Sequence, residues 1–186
     1  MCRTANGPDI NAEPGVNPQT KDGRGNICPV TIILPTLAAQ IREKWLNKYG
    51  VEVTMEDNAH MVDDFIALLD KKIHEAKDML IERFEHICSQ SSESAKFMYE
   101  NNTMLGYHPE EGIRSALKHG TLVIGQLGLA ETLQILIGCD HTTEKGMELA
   151  KRIEQLFKDR CLGFKKEYHL NFGVYYTPKL FGLGVA

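Results

Sequence analysis

The sequence has few cysteines and no long apolar run, and each shortage excludes a class of protein. Its five cysteines are widely spaced and include no Cys-x-x-Cys pair, which argues against a disulfide framework and against a thiolate zinc site. No stretch approaches the roughly 18 apolar residues that span a bilayer, and the polar N-terminus lacks the apolar core of a signal peptide. We therefore expect a cytoplasmic protein with no metal site of its own and no membrane partner.

The sequence also lacks an excess of basic residues. Its 21 lysines and arginines are outnumbered by 25 aspartates and glutamates, giving a formal net charge of -4 and a pI near 6.0. Such a chain has no basic field to attract a phosphate polymer, so nucleic acid is not expected as a direct partner. What remains is an ordinary composition: 186 residues, 42% hydrophobic and 25% charged, enough for one domain with a core.

The apolar pattern predicts an α/β chain. Residues 1–26 are rich in glycine and proline without an apolar period, which is typical of a long loop that is functional or disordered. Strands are predicted over residues 27–34, 121–125 and 168–176. Helices are predicted over residues 34–50, 58–87, 109–120, 129–137 and 142–163. Three strands separated by long helical connections form a thin sheet, and both of its edges should be open.

Single residues set the predicted ends of these elements. Asn58 is the expected N-cap of the long second helix, and Thr142 or Thr143 is the expected N-cap of the last one. Gly163 is expected to stop that last helix. Residues 126–128 (Gln-Leu-Gly) are predicted to turn between a strand and a helix, where backbone N–H groups can meet an anion. This turn matches no nucleotide-binding glycine motif.

Three short patterns contain side chains that could do chemistry. Cys2 lies beside Arg3 in the Gly/Pro-rich loop, a setting that can leave a thiol exposed and acidic, although a terminal cysteine is commonly incidental. Residues 23–26 (Gly-Arg-Gly-Asn) precede a buried strand and form either a ligand edge or a turn. Residues 139–141 (Cys-Asp-His) combine nucleophile, acid and base, but the preceding helix C-terminus disfavours a thiolate, so a hydrolytic triad is not favoured.

Successive segments of the chain follow the motif order of a known family. Cys2-Arg3-Thr4, Gly23-Arg24-Gly25-Asn26 and Thr31-Ile32-Ile33-Leu34-Pro35 resemble the G-C-R-[ST] finger loop, the G-R-G-N motif and the T-x-x-L-P strand of anaerobic (class III, glycyl-radical) ribonucleoside-triphosphate reductases. Further similar segments are residues 99–102, 120–125 with 128–131, 146–153 and 171–178. Each segment is weak alone, but together they indicate a resemblance that runs through residue 178.

The resemblance implies a fold and a site. The fold is a partial segment of the family's ten-stranded α/β barrel, with residues 1–178 as a partial catalytic domain and residues 179–186 as a divergent tail. Cys2 falls on the cysteine that becomes a thiyl radical and abstracts the ribose 3′ hydrogen. Asn26 and Thr177 fall on substrate-binding positions.

The resemblance also implies cofactors and partners. The complete enzyme reduces ribonucleoside triphosphates to deoxyribonucleotides for DNA replication, takes ATP and dNTPs as effectors, and is activated by a radical-SAM enzyme. The glycyl radical and a structural zinc site are expected in parts missing from this chain, so other reductase segments or a homodimer partner would be needed. The alternative is a catalytically inert remnant or interaction module that keeps part of the fold.

Overall fold

A computed structural model describes residues 6–20, 24–50, 55–101, 103–104 and 106–176. Cys2 and Thr177, predicted to be functional, lie outside the described residues. The elements in chain order are β1 (Asn26–Ile33), α1 (Leu34–Tyr49), α2 (Met55–Cys88), a 3₁₀ turn (Ser92–Ala95), α3 (Lys96–Glu100), α4 (Arg114–Leu117), β2 (Thr121–Leu127), α5 (Leu129–Ile137), α6 (Glu144–Tyr168) and β3 (Asn171–Tyr176). The predicted α/β class is confirmed, and so is the order of the strands and main helices.

The three strands form one parallel sheet in the order β1-β2-β3, so each strand lies beside its neighbour in sequence. Asn26, Thr121 and Asn171 are paired in register and mark the amino-terminal edge of the sheet. The register of β1 shifts between Ile27 and Val30 at a bulge. In the part of the chain that the structure describes, β1 and β3 each pair on one side only, which confirms the prediction of two open edges.

The core lies on one face of the sheet. The strand side chains that belong to the core are Ile27, Ile32, Leu122, Ile124, Phe172 and Val174. Because successive strand residues point to opposite faces, Thr31, Gly125 and Tyr175 point to the other face. That face also presents Ile33, whose surface is 53% exposed. Helices therefore cover one face of the sheet. On the other, uncovered face Thr31 and Ile33 are exposed, while Gly125 is buried against the Tyr175 ring.

Helix α2 supplies much of the core, and its predicted apolar stripe is confirmed. The buried members are Val62, Leu69, Ile73, Ala76, Leu80 and Phe84, while Ile66 and Ile87 are half-buried. This arrangement is the one expected when apolar residues recur with the 3.6-residue period of a helix. None of the helices in the described ranges has the length and apolar content that crossing a bilayer requires.

Several predicted helix ends are wrong. Helix α2 begins at Met55, so Asn58 lies inside it rather than capping it. Helix α6 continues through Gly163 to Tyr168, because burial of its neighbour Phe164 outweighs the ~1 kcal/mol cost of one helical glycine. The cap prediction at the other end is confirmed for Thr143, whose Oγ1 accepts a hydrogen bond of 3.1 Å from the Gly146 N–H.

Two predictions around β2 also need correction. The predicted turn at residues 126–128 is wrong for its first two residues, because β2 extends to Leu127. Only Gly128 leaves the strand, with a φ of 83° that a side chain disfavours. The helix predicted from residue 109 is shorter, since turns occupy the segment up to Ile113 and α4 covers only Arg114–Leu117.

Candidate functional site: the amino-terminal loop and the sheet edge

The predicted substrate residue Asn26 is the first residue of β1, at the amino-terminal edge of the sheet. It is exposed and borders a cavity of about 250 Å³ together with Cys28 and Met104. Tyr176, the residue before Thr177, ends β3 at the opposite edge. Since β3 is six residues long, the amino-terminal and carboxy-terminal ends of the strands are about 16 Å apart along the strand direction.

Residues 6–11, which we call the clamp, lie along the same edge as Asn26, and each of them hydrogen-bonds to another part of the chain. Four of them accept hydrogen bonds: Asn6 Oδ1 from Thr121 Oγ1 (3.1 Å), Gly7 O from Arg24 Nη1 (3.2 Å), Pro8 O from Lys165 Nζ (2.6 Å) and Asp9 Oδ2 from His119 Nδ1 (2.7 Å). The other two donate: the Ile10 N–H donates to Asn171 Oδ1 (2.9 Å), and Asn11 Nδ2 donates to the carbonyl oxygens of Lys118 and His169 (both 3.0 Å). These partners belong to the segments before β1 and β2, to the first residues of β2 and β3, and to the end of α6. The clamp therefore fastens an otherwise irregular loop to three elements.

Asp9 is the centre of the clamp. Its Oδ1 accepts hydrogen bonds from Asn171 Nδ2 (2.8 Å) and the Asn11 N–H (2.9 Å), and its Oδ2 accepts from His119 Nδ1. Asp9, His119 and Asn171 are 7%, 2% and 3% exposed. Burial acts to raise the pKa of Asp9, but the hydrogen bonds from Asn171, His119 and Asn11 outweigh it and lower this pKa below its ordinary value. The carboxylate is therefore ionised at neutral pH.

Arg24 fastens both ends of the same loop. Its Nε donates to the carbonyl oxygen of His119 (2.7 Å), and its Nη1 donates to those of Gly7 and Thr20 (3.2 and 3.0 Å). Arginine suits this role because its planar guanidinium offers several donors in fixed directions. In the described part of residues 23–26, Arg24 thus has a structural role, close to the exposed Asn26.

His119 also borders a cavity of about 330 Å³ beneath the loop. Its Nε2 is buried and has no hydrogen-bond partner in the part of the chain that the structure describes. Gly106, with a φ of 71°, packs against this ring, and a side chain there would lie 2.7 Å from His119 Cδ2. Glu13 and His108 border the same cavity and are 3.5 Å apart. Across the described ranges, no three metal-ligating side chains come together.

A second polar contact crosses the uncovered face of the sheet. Thr31 Oγ1 and Tyr175 Oη are 2.7 Å apart and share a hydrogen bond across the middle strand. Gly125 lies between them, and a side chain there would approach Tyr175 Cζ to 2.6 Å and Thr31 Oγ1 to 2.8 Å. Glycine is therefore required at this position for the contact to form.

Comparison with known families identifies the relationship of the whole chain. The family model described as anaerobic ribonucleoside-triphosphate reductase matches residues 1–179. The chain belongs to this reductase family. A search of curated proteins found no match. The matched region includes Cys2, the clamp and all three strands, so the resemblance seen in the sequence motifs is confirmed.

The Cys-Asp-His segment at residues 139–141 has a structural role in this member of the reductase family. Asp140 Oδ1 accepts a hydrogen bond from the Thr142 N–H (2.9 Å) and another from Thr142 Oγ1 (2.5 Å). These bonds lower the pKa of Asp140 and shape the turn that leads into the N-cap of α6. The carboxylate is thus engaged by Thr142, as expected if no hydrolytic triad forms.

Sequence reasoning did not find Asp9, His119 or Asn171, although they form a buried, hydrogen-bonded polar cluster in this reductase-family chain. One signal was available, because Thr121 and Asn171 are polar residues at the first positions of two largely apolar strands. Nothing in the local pattern indicated Asp9 as their common partner, since it lies 110 and 162 positions away from His119 and Asn171. Contacts between residues so far apart in the sequence form only when the chain folds and the strands pair, so no local pattern predicts them.

Proposed function

We propose that the chain is the segment of an anaerobic ribonucleoside-triphosphate reductase that contains the reactive cysteine, Cys2. The observation that carries this proposal is the family match over residues 1–179, which includes Cys2 and the motifs around it. The clamp supports it, because it fixes the loop that follows Cys2 at the edge of the sheet where Asn26 begins β1. An enzyme that controls a reactive sulfur needs such a fixed loop.

We infer further that the sheet is part of the family's ten-stranded α/β barrel. Its strands are parallel and sequentially adjacent, and their core face is covered by helices, as in barrels whose helices form an outer layer. A doubly wound sheet has helices on both faces instead. In the barrel, the face with Thr31, Gly125 and Tyr175 would be the interior, and both open edges would be paired with further strands.

In the proposed reaction, Cys2 would give the hydrogen atom of its S–H group to the glycyl radical that the family uses, which would leave the unpaired electron on the Cys2 sulfur. The Cys2 sulfur takes the hydrogen atom from C3′ of the ribose, so that this C–H bond breaks and an S–H bond forms. The 2′-hydroxyl leaves as water, a reduction that takes two electrons and two protons. A dithiol protein supplies all of these and becomes a disulfide, whereas formate supplies two electrons and one proton, becomes CO2, and the second proton comes from solvent. Cys2 then returns the hydrogen atom to C3′. A thiol suits these steps because its S–H bond is comparable in strength to the activated C–H bond.

Asn26 and Thr177 would contact the substrate from the two ends of the strands. Asn26 begins β1 and Thr177 follows the last residue of β3, so an elongated nucleoside triphosphate lying along the inner face could reach both edges. Within this proposal, Asn26 lies on the same edge as the clamp and would face the ribose end. Thr177 would face the phosphates.

The experiment that tests this function is anaerobic complementation. The purified chain is combined with the flanking parts of the family's enzyme and with the radical-SAM activating protein, and deoxynucleotide formation is measured. We expect product to depend on this chain and on a ribonucleoside triphosphate substrate. If no product forms where the intact reductase turns over, the chain is instead an inert remnant or an interaction module.

A further inference from the structure

We propose that Asp9 is a positioning residue for Cys2 and acts through the clamp. The inference rests on the proposed function, in which Cys2 is the reactive group. Asp9 touches neither substrate nor the reacting sulfur in this account. Its task is to hold the loop that carries Cys2 at one fixed place on the sheet.

Asp9 joins three separate parts of the molecule. Its carboxylate accepts hydrogen bonds from the loop itself at Asn11, from His119 before β2, and from Asn171 at the start of β3. Hydrogen bonds to an ionised acceptor are about twice as strong as neutral ones. Among the clamp residues, Asp9 is the one with a charged side chain. Its loss would remove the acceptor of the buried His119 Nδ1 and the shortest hydrogen bond of the buried Asn171 Nδ2.

Positively charged side chains lie around Asp9 and the loop that contains it. His119 contacts the carboxylate directly, and both Asp9 and Arg24 interact electrostatically with Lys165. Arg24 and Lys165 also donate hydrogen bonds to the carbonyl oxygens of Gly7 and Pro8, the two residues before Asp9. The negative charge of Asp9 thus lies where cationic side chains already hold the loop backbone.

The clamp begins close to Cys2 in the sequence. Only three residues separate Cys2 from Asn6, the first clamp residue. The place at which the loop is fixed therefore determines where a short tether to Cys2 begins. A displacement of about 1 Å in a reacting group lowers a catalytic rate about 100-fold, so even a small shift of this attachment point should be visible in turnover.

The test compares Asp9→Asn with Glu13→Gln in the reassembled anaerobic enzyme. Both variants remove one negative charge from the same loop, but Glu13 is largely exposed, with 52% of its side chain accessible, and contacts only His108 within the described residues, at 3.5 Å. We expect Asp9→Asn to lower kcat about 100-fold while KM for the nucleotide changes less than about twofold. Glu13→Gln should keep both constants.

The split between kcat and KM distinguishes positioning from general damage to the fold. Asp9→Asn with wild-type kcat would overturn the proposal, and so would a loss confined to KM. Asn11→Ala provides a milder second variant, because it removes hydrogen bonds to the carbonyl oxygens of Lys118 and His169 and leaves Asp9 in place. It should lower kcat about fivefold, again without a change in KM.

A measurement on the isolated chain separates failure of this inference from failure of the proposed function. A nitroxide is attached to Cys2 after Cys28, Cys88 and Cys139 are changed to serine, and its rotational freedom is read from the electron spin resonance line shape. We expect a restricted label in the wild-type loop and in Glu13→Gln, and a freely rotating label in Asp9→Asn. Equal line shapes in all three would overturn the positioning role whatever the catalytic result, whereas an inactive wild-type enzyme with the expected line shapes would contradict the proposed function alone.

Discussion

Asp9 and His119 are 110 positions apart in the sequence, yet Asp9 Oδ2 and His119 Nδ1 share a hydrogen bond of 2.7 Å between two buried side chains. The bond joins the amino-terminal loop to the segment that leads into β2. Because a carboxylate oxygen can only accept, Nδ1 must carry the proton and donate it. The contact thus makes a loop without regular structure part of the folded domain.

Asp9→Asn should destabilise the chain by about 1–3 kcal/mol at neutral pH, because an amide cannot accept all three hydrogen bonds and leaves buried donors unsatisfied. Chemical unfolding measures this change. The lowered pKa of Asp9 sets its pH dependence: the stabilising carboxylate is fully present above the ordinary carboxyl pKa and is lost as pH falls through the lowered value. The difference between wild type and variant should be constant from about pH 5 to 7 and shrink below about pH 4. Under the same conditions, Glu13→Gln should change stability by less than about 0.5 kcal/mol.

Two glycine substitutions should have opposite effects on stability. Gly125→Ala places a methyl group against the Tyr175 ring and Thr31 Oγ1, so we expect a loss of about 1–3 kcal/mol from overpacking and loss of the Thr31–Tyr175 hydrogen bond. Gly163→Ala is the matched control, because it lies inside α6 with no neighbouring atom within 4 Å. It should stabilise the chain by about 0.5–1 kcal/mol. Thermal unfolding of the two variants in parallel checks both signs, and a neutral Gly125→Ala would show that the close approach is absent in solution.

The isolated chain should self-associate, because the described sheet has two unpaired edges and an uncovered face. Sedimentation at micromolar concentration should show dimers or larger species. Ile33→Lys should weaken this association at least about tenfold, since Ile33 lies on the uncovered face and is 53% exposed. Met79→Lys changes a similarly exposed residue, 45% accessible, on α2 and should have little effect. A monomer that unfolds cooperatively at these concentrations would contradict the account of an incomplete sheet.

Much of the fold could be predicted because local patterns specify it. The stripe on α2 and the alternation of β3 place the same residues in the core as the structure does. The errors occur where tertiary packing overrides a local signal. Gly163 predicts the end of a helix, but the side chains of Cys161 and Phe164 on either side of it are buried, and α6 continues to Tyr168. Likewise, Gln126 reads as a turn residue, yet pairing with Ile32 and Tyr176 keeps it in β2.

The site could be predicted only through the family resemblance. Cys2 and Thr177 remain predictions from motifs, since both lie outside the described residues, and physical reasoning from the sequence alone has no ground to separate Cys2 from an incidental terminal cysteine. The clamp was not predicted, because its hydrogen bonds join residues that are up to 162 positions apart. Arg24 was found as part of a motif, but its role as a tie between backbone carbonyls depends on the positions of Gly7 and Thr20 after folding.

The cysteines should differ strongly in reactivity toward a small alkylating reagent. Cys161 is 5% exposed, and burial raises the pKa of its thiol to about 12, so little of the reactive thiolate exists at neutral pH. We expect Cys2 to be labelled well before Cys161 under native conditions, as read by peptide mass mapping. In denaturant the two rates should converge. Equal labelling in the native chain would show that Cys2 is as protected as a core cysteine.

The central claim is that the Cys2 sulfur abstracts and returns the substrate hydrogen. It is tested most directly by turnover of Cys2→Ser in the reassembled anaerobic enzyme, with Cys139→Ser as the matched control on a half-buried cysteine. An alcohol O–H bond is too strong for reversible hydrogen exchange, so Cys2→Ser should form no deoxynucleotide while keeping the wild-type unfolding curve. Cys139→Ser should retain turnover. Deoxynucleotide formation by Cys2→Ser at a rate comparable to wild type would contradict the account.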